Sequence, residues 1–402
     1  MNHCNCKVCC NTTRPFLNFS MPLAGLFLDE QNQPATKYPL SLCLCDTCSL
    51  VQVNETVDPH ILFDKYMYKT GAIQTLKKHF EAFSQTLIDN FDFDTILEIG
   101  CNDLTFLKNF DLDKKCIGVD PSDVSKRASS DFPNIEFHNT FFDSGVANSI
   151  LTAGNNIDII YASNCFAHIP TIKDIVNGIS KLMTNTSIFI TEVHWLGTLI
   201  KDLQFPFIYH EHIFYYSYKS ISYLLALYDI EVFKVEHIDT HGGSIRYYCA
   251  KKGSKKIDSS VSELIQEEES LNLYSIDTFN RFTENIVEIK TKIHTLINKI
   301  LANNQQIVAY GASGQANTFL SFYELDNTKI DYVVDDSPIK INKFTSSGRL
   351  PIVASSELYE DNPDYVLCLA YTFFKEIIEK HKNLKTKWII PLPKYSIIDN
   401  TL

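Results

Sequence analysis

The chain has no excess of basic side chains, no long apolar run and no leader-like start, and each absence removes a class of function. Its 402 residues carry 36 Lys and Arg against 48 Asp and Glu, a formal net charge of −12. An acid surplus argues against nucleic acid or an anionic membrane as the main partner, while leaving room for a local phosphate pocket. No apolar run approaches the roughly 18 residues that span a bilayer. The opening "MNHCNCKVCC" lacks the basic-then-apolar layout of a secretory leader, so a cytoplasmic protein is expected. With 45% hydrophobic and 21% charged residues the chain reads as ordinarily globular, and its length exceeds one small core, so two or three domains are expected.

Cysteine, by contrast, is abundant. Of 12 cysteines, seven fall within the first 48 residues: Cys4, Cys6, Cys9, Cys10, Cys43, Cys45 and Cys48. The remaining Cys101, Cys116, Cys165, Cys249 and Cys368 stand singly among apolar neighbours and read as small core residues. Two C-x-x-C pairs, Cys6/Cys9 and Cys45/Cys48, each bring two thiolates one ligand spacing apart, and two such turns make the four-sulfur shell that zinc accepts. The alternative is a set of free buried thiols, and Cys4, Cys10 and Cys43 compete as ligands. Four thiolates leave no position for water, so a zinc there stabilises a small fold.

The middle of the chain alternates strands and helices. "FEAFSQTL" has helical period, "TILEIG" (95–100) reads as a buried strand ending at a glycine loop, and "CIGVDPS" (116–122) closes a second strand with Asp120. A strand, glycine loop, helix, strand and acid in that order suit a nucleoside, with backbone approaching it at the loop and the acid accepting from ribose. An ordinary α/β crossover has the same outline. Further strands are expected at 135–142, 157–164 and 186–193, with a helix in "TIKDIVNGISKLM". The result is an open, largely parallel α/β sheet with ligands beyond the carboxyl ends of its strands, where Asn164 and His168 of "SNCFAHIP" lie.

In the last third, Phe279, Phe282, Ile286, Ile289, Ile293, Leu296 and Ile300 form one apolar stripe on a long helix. "QQIVAYGASGQANTFL" follows as strand, small-residue loop and helix start, with "KIDYVVDDSP" and "PDYVLCLA" as further strands. Gly311, Ala312, Ser313 and Gly314 at that helix N-terminus offer amides to a phosphate.

Taken in order, "CKVC…CDTCSLVQV", "EIGCND", "GVDPS", "SNCFAHIP", "IYHEH", "HGGSIRYY", "AYGASGQANTFL" and "IDYVVDDSP" resemble the three-domain S-adenosylmethionine-dependent sugar C-methyltransferases, which methylate C3′ of nucleotide-linked keto-deoxysugars. The match covers nearly the whole chain. It implies an α/β protein with a small zinc-binding domain (1–72), a central class I, Rossmann-like methyltransferase domain (73–255) and a second Rossmann-like α/β domain (256–402). By the resemblance Cys6, Cys9, Cys45 and Cys48 hold a structural zinc. Glu98, Gly100, Asn102, Asp103, Asp120, Phe142 and Asn164 face S-adenosylmethionine. Tyr68 and His168 line the substrate cavity, and Gly311, Ser313, Asn317 and Lys343 meet the nucleotide diphosphate of a sugar, expected to be dTDP-linked. Tyr66, Thr318 and Thr345 are lesser candidates. No nucleic acid or membrane partner is implied, and a monomer or weak homodimer is expected. One departure stands out: the family follows its Asn-Asp with glycine, and this chain has Leu104, which either crowds the cofactor or packs on the helix.

The run "YHEH" (209–212) carries the chemistry. Methylation of a carbon beside a ketone needs a base to remove the α-proton and donors to hold the enolate oxygen. His212 is the expected base, Glu211 its helper, and Tyr209 a donor to substrate oxygen. His210, alternating with His212 along an extended segment, is expected to face away and serve structure. That divergence also weakens an H-x-H metal site. An O- or N-methyltransferase, or a nucleotide-sugar-binding protein whose cofactor loop Leu104 disables, are the competing functions.

Overall fold

The computed structural model describes residues 5–58, 61–62 and 69–400. Tyr66 and Tyr68, with Cys4, lie outside the described residues.

Strands β1 (Thr13–Met21), β3 (Tyr38–Cys45) and β4 (Val51–Val53) form an antiparallel sheet in the order β1-β3-β4-β10. Its fourth member, β10 (Phe214–Tyr215), comes from far along the chain, immediately after the YHEH run. Strand β2 (Phe27–Leu28) leaves this sheet and pairs with β15 (Phe344–Thr345). The N-terminal segment is therefore sewn to both other parts of the molecule.

The central sheet has the order β11-β12-β9-β8-β5-β6-β7. Strands β5 (Thr95–Ile99), β6 (Lys115–Val119), β7 (Glu136–His138), β8 (Ile159–Ser163) and β9 (Ile188–His194) run parallel, while β12 (Ser244–Lys251) and β11 (Ile230–Ile238) close the edge antiparallel. In β5 every residue of "TILEI" is buried, as befits a strand covered on both faces. Helix α1 (Gln74–Asn90) covers one face through Leu76, Phe80, Phe83 and Leu87, and α2 (Ile172–Leu182) joins the opposite core through Ile172, Ile175, Val176 and Ile179. The strand expected at 135–142 ends early. After His138 the chain turns, with the Asn139 amide donating to the carbonyls of Asp120 and Ser122, and Phe142 goes into the core.

Helix α3 (Ser259–Ser270) packs on β11 and adds Val261 and Leu264 to the central core. The long α4 (Ile276–Ala302) starts at a Ser275 cap that accepts from the Asp277 N–H. It buries the expected stripe, with Ile297 fully buried and Leu296 only partly so. Beyond it lies a six-stranded sheet, β16-β14-β13-β17-β18-β19. Strands β13 (Ile307–Tyr310), β14 (Val333–Val334), β16 (Ile352–Val353), β17 (Tyr365–Cys368) and β18 (Lys387–Ile390) are parallel, and β19 (Ser396–Asp399) is antiparallel. Helix α5 (Gly314–Tyr323) follows β13, so a second Rossmann-like unit is present.

Candidate active site

The four sulfurs of Cys6, Cys9, Cys45 and Cys48 lie within 4.8 Å of one another. Contacts of 3.5 Å between Cys6 and Cys48 and 3.3 Å between Cys9 and Cys45 cross from one turn to the other. Each turn is closed by its own backbone, Cys10 N–H to the Cys6 carbonyl and Ser49 N–H to that of Cys45, and Val8 N–H donates to the Cys6 sulfur. Zinc–sulfur bonds of about 2.3 Å in a tetrahedron need sulfurs somewhat under 4 Å apart, so the shell fits the ion. Of the competing thiols, Cys43 instead donates to the Gln52 carbonyl, and Cys10 is exposed.

A cavity of about 1580 Å³ opens where the three parts of the chain meet. Single-ligand pockets run to roughly 1,000 Å³, so this one has room for two molecules. Gly100, Asn102, Asp120, Phe142 and Asn164 line one end, at the carboxyl edge of the central sheet. Gly100 has φ +76°, and a Cβ there would stand 3.0 Å from that of Cys165, so only glycine lets the loop pass. Asp120 accepts from the N–H groups of Asn102 and Ser122 and from the Ser125 hydroxyl, which fixes its carboxylate at the end of β6. Beneath the loop, Glu98 is buried with one carboxylate oxygen lacking a partner among the described residues. Burial, then the charges of Asp120, Asp103 and Glu192, push its carboxyl well above the usual range. A backbone loop facing the fixed Asp120 carboxylate suits a nucleoside with its ribose hydroxyls on that acid, and S-adenosylmethionine fits it.

Two expected cofactor contacts are placed differently. Glu98 and Asp103 are outside the cavity lining. Asp103 accepts from Gly71 N–H and the Thr105 hydroxyl, and Asn102 accepts from Thr70 N–H. The loop is thereby tied to the segment that leads into α1. Leu104 has φ +60° and is fully buried, its side chain lying over Gly118 in the core with Cys101, Phe106 and Leu107. It points away from the cavity and does not crowd it.

At the other end of the cavity, Tyr209 and His212 face inward. The run is a turn, closed by His212 N–H to the Tyr209 carbonyl, and not the extended segment expected. The turn puts residues 209 and 212 on one side and 210 and 211 on the other. His212 Nδ1–H donates to the Phe207 carbonyl at 2.8 Å, so Nε2 carries the lone pair, and it accepts the Tyr209 hydroxyl at 3.0 Å. Burial, with His168, His194 and His241 nearby, holds the imidazole well below its usual range and hence neutral. His210 sits under the carbonyls of Tyr38 and Pro39, the structural placement expected.

Glu211 needs correction. Its side chain turns to Gly25 of the N-terminal segment, and it is absent from the cavity wall. The turn geometry is the reason, since it presents the first and last residues together and sends the middle two behind. The Glu211 carbonyl nevertheless matters, because it accepts His168 Nδ1–H at 2.7 Å and sets that ring 4.9 Å from His212. Burial pushes His168 down to about 4.

The C-terminal candidates divide. Ser313, Gly314 and Gln315 reach the cavity, with Ser313 capping α5 through the Ala316 N–H. Gly311 and Ala312 do not offer free amides, since these donate to the Val334 carbonyl and the Asp335 carboxylate. At φ +100°, Gly311 lets the backbone at Ala370 approach. Asn317 is fully buried, donating to the carbonyls of Ala24 and Leu26 and accepting from Ser347 N–H. Lys343 pairs with Asp29 at 2.7 Å. Neither reaches the cavity; Lys340, 3.3 Å from the Asp335 carboxylate, does, and Phe373 is also in the wall.

Sequence reasoning missed His79, His194 and His241, all in the wall. The quoted "HGGSIRYY" contained His241, but nothing local to His79 or His194 set them apart.

Models of known families match successive parts of the chain: a zinc binding domain over residues 6–63, a methyltransferase domain over 68–235 and a C-methyltransferase C-terminal domain over 239–393. The C-methyltransferase NovU of Streptomyces niveus is 28% identical over 389 residues, 94% of this chain and 92% of that protein. Solved structures give distant likenesses that carry no argument by themselves. An S-adenosylmethionine-dependent methyltransferase from Clostridium acetobutylicum is 12% identical with a TM-score of 0.34, covering 46% of this chain and 94% of that one. The magnesium protoporphyrin IX methyltransferase of Synechocystis is 10% identical at 0.32, covering 44% and 79%. With three successive domain models, one full-length relative, the sulfur shell and the nucleoside-type loop in agreement, the chain is an S-adenosylmethionine-dependent methyltransferase that carries a zinc-binding domain, a methyltransferase domain and a C-methyltransferase C-terminal domain in succession.

Proposed function

We propose that this C-methyltransferase acts on a carbon beside the ketone of a nucleotide-linked deoxysugar, dTDP-linked by the family resemblance, with His212 as the base. The observation that carries the reading is His212 itself: a neutral ring, its tautomer set by the Phe207 carbonyl, with Nε2 presented to a cavity large enough for cofactor and substrate together. S-adenosylmethionine, held by the loop from Gly100 to Asn102 with Asp120, Phe142 and Asn164, supplies an electrophilic methyl group. His212 Nε2 takes the α-proton, and the Tyr209 hydroxyl, released from Nε2 when the substrate enters, donates to the ketone oxygen as negative charge gathers there. His168 borders the sugar. Ser313, Gly314 and Lys340 meet the diphosphate, the first two at a helix N-terminus and the third as a cation. On this reading residues 1–72 form the zinc unit, 73–255 the methyl-transferring unit and 256–402 the nucleotide-holding unit.

The test is exchange and transfer measured separately. Without cofactor, the wild type should wash solvent deuterium into the ketosugar. His212→Asn should lose exchange and methyl transfer by roughly 10²- to 10⁴-fold, the usual worth of a general base, while S-adenosylhomocysteine binding is kept. Full transfer by the variant would sink the assignment of the base. Transfer without exchange in the wild type would point instead to oxygen or nitrogen as the acceptor.

A further inference from the structure

Among the groups that the reaction above leaves unused, the most heavily constructed is a buried carboxylate with a histidine in front of it. Glu192, on β9, has a side chain with no exposed surface, and one of its oxygens accepts His79 Nε2–H at 2.8 Å. The same oxygen accepts the Ser163 hydroxyl at 3.3 Å, and Ser163 in turn accepts from the Asn164 amide. The other oxygen takes two contacts of 2.7 Å from the Arg246 guanidinium, which also reaches Glu236 at 3.0 Å and lies 3.5 Å from the centre of the Phe83 ring. Burial pushes the Glu192 carboxyl up, but the hydrogen bond from His79 and the charge of Arg246 outweigh it and keep the group ionised.

This arrangement fixes His79. With Nε2 bound to Glu192, Nδ1 is the ring's remaining polar atom. It has no partner among the described residues and is not among the sealed polar atoms, and the ring belongs to the cavity wall. His79 stands on α1 just beyond Thr70 and Gly71, whose amides grip Asn102 and Asp103 of the cofactor loop. Three other histidines of that wall spend their N–H on neutral protein acceptors: Phe207 for His212, Glu211 for His168 and Gln204 for His194. His237 faces Glu267 at 3.2 Å, but both of those side chains are exposed, whereas the carboxylate behind His79 has no exposed surface. An anionic oxygen arriving at Nδ1 would place the ring between two negative charges, where the doubly protonated form donates to both.

We propose that His79, positioned by Glu192, is the cavity's donor to an oxyanion of the bound reactants. Two sources share that chemistry, the carboxylate of the cofactor's methionine part and the enolate oxygen of the sugar; the second rests on the proposed reaction, the first on the cofactor alone. The variant of choice is His79→Gln, whose amide nitrogen keeps the bond to Glu192 while Nδ1 is lost. Calorimetric binding is compared for S-adenosylmethionine and its decarboxylated form, which keeps sulfonium and amine. If the cofactor carboxylate is the partner, the variant binds S-adenosylmethionine roughly tenfold or more weakly, as for loss of a hydrogen bond to a charged group, and the decarboxylated form unchanged. If the enolate is the partner, both bind as in the wild type, and deuterium exchange into the ketosugar slows at least tenfold. Equal weakening of both compounds, or no change in binding and exchange, overturns the proposal, as does a variant altered only in melting temperature. Should wild-type protein show no exchange at all, the enolate mechanism fails separately and the cofactor comparison alone judges His79. His79→Ala, tested the same way, guards against a substitute contact from glutamine.

Discussion

At the scale of the residue, position decides between roles that the amino acid leaves open. Leu104 takes a left-handed backbone that costs an L-residue about 1–2 kcal/mol. Its side chain repays this by filling the core over Gly118. Leu104→Gly relieves the backbone but removes packing worth roughly 2–5 kcal/mol on the scale of Leu→Ala. The net expectation is a loss of about 1–3 kcal/mol in urea unfolding, with S-adenosylhomocysteine affinity unchanged. Tighter binding by the variant would show that leucine crowds the cofactor after all.

The cavity histidines make a second residue-scale prediction. Burial pushes His194 down to about 4 from an ordinary 6.5, so the folded protein keeps it neutral where the unfolded chain takes up a proton. Its contribution is fully present above pH 6.5 and is lost as pH falls toward 4. Buried Glu98 and Glu211, whose carboxyls are pushed up, act in the opposite sense, so the net profile of the wild type is not diagnostic. The difference between proteins is. His194→Gln should gain on the wild type as pH falls from 6.5 to 4.5, by at most about 1.4 kcal/mol per pH unit. A gap independent of pH in paired melts would contradict the placement.

At the scale of the element, the short β2 and the start of α5 show how a loop becomes a wall. Asn317 was expected at a phosphate. Instead it holds the carbonyls of Ala24 and Leu26 and the amide of Ser347, while β2 pairs with β15 and sets Phe27 in the cavity wall. Asn317→Ala leaves buried backbone groups unpaired, so about 2–4 kcal/mol of stability should go, on the scale of one to two such groups. If Asn317 bound substrate directly, KM would rise with stability intact. The long α4 was legible in detail because its stripe repeats every three or four residues, a property of the helix alone. The YHEH turn was not, because four residues are too few to show a period, and an extended reading and a turn differ in which pairs face together.

At the scale of the whole molecule, the zinc shell is part of the central core. Cys6, Cys45 and Cys48 share one apolar cluster with Phe166, Val193 and Tyr216, and the sheet they begin ends in β10, which follows His212. Stripping the metal with a strong chelator should therefore do more than loosen the first domain. It should lower the melting temperature of the whole chain by several degrees, in line with a few kcal/mol for a protein of this size, and slow methyl transfer, with recovery on adding zinc. Loss of zinc with neither effect would show the site to be independent of the rest.

What the sequence determined by itself were features whose physics is short-range. Two C-x-x-C turns hold sulfur pairs at ligand distance whatever surrounds them, and a buried strand running into a glycine makes a backbone loop for a nucleoside at the carboxyl edge of a parallel sheet. The order of such pieces carried the resemblance to the C-methyltransferases. Tertiary structure alone decided which polar side chains share one space. His79 on α1, His194 at the end of β9, His241 before β12 and Lys340 beyond β14 converge on one cavity though no local pattern links them, and Glu211, Asn317 and Lys343 leave it for partners in the N-terminal segment. Their placement follows from how the sheets pack and where the chain crosses between them. That depends on contacts between residues hundreds of positions apart, and no spacing along the chain encodes it.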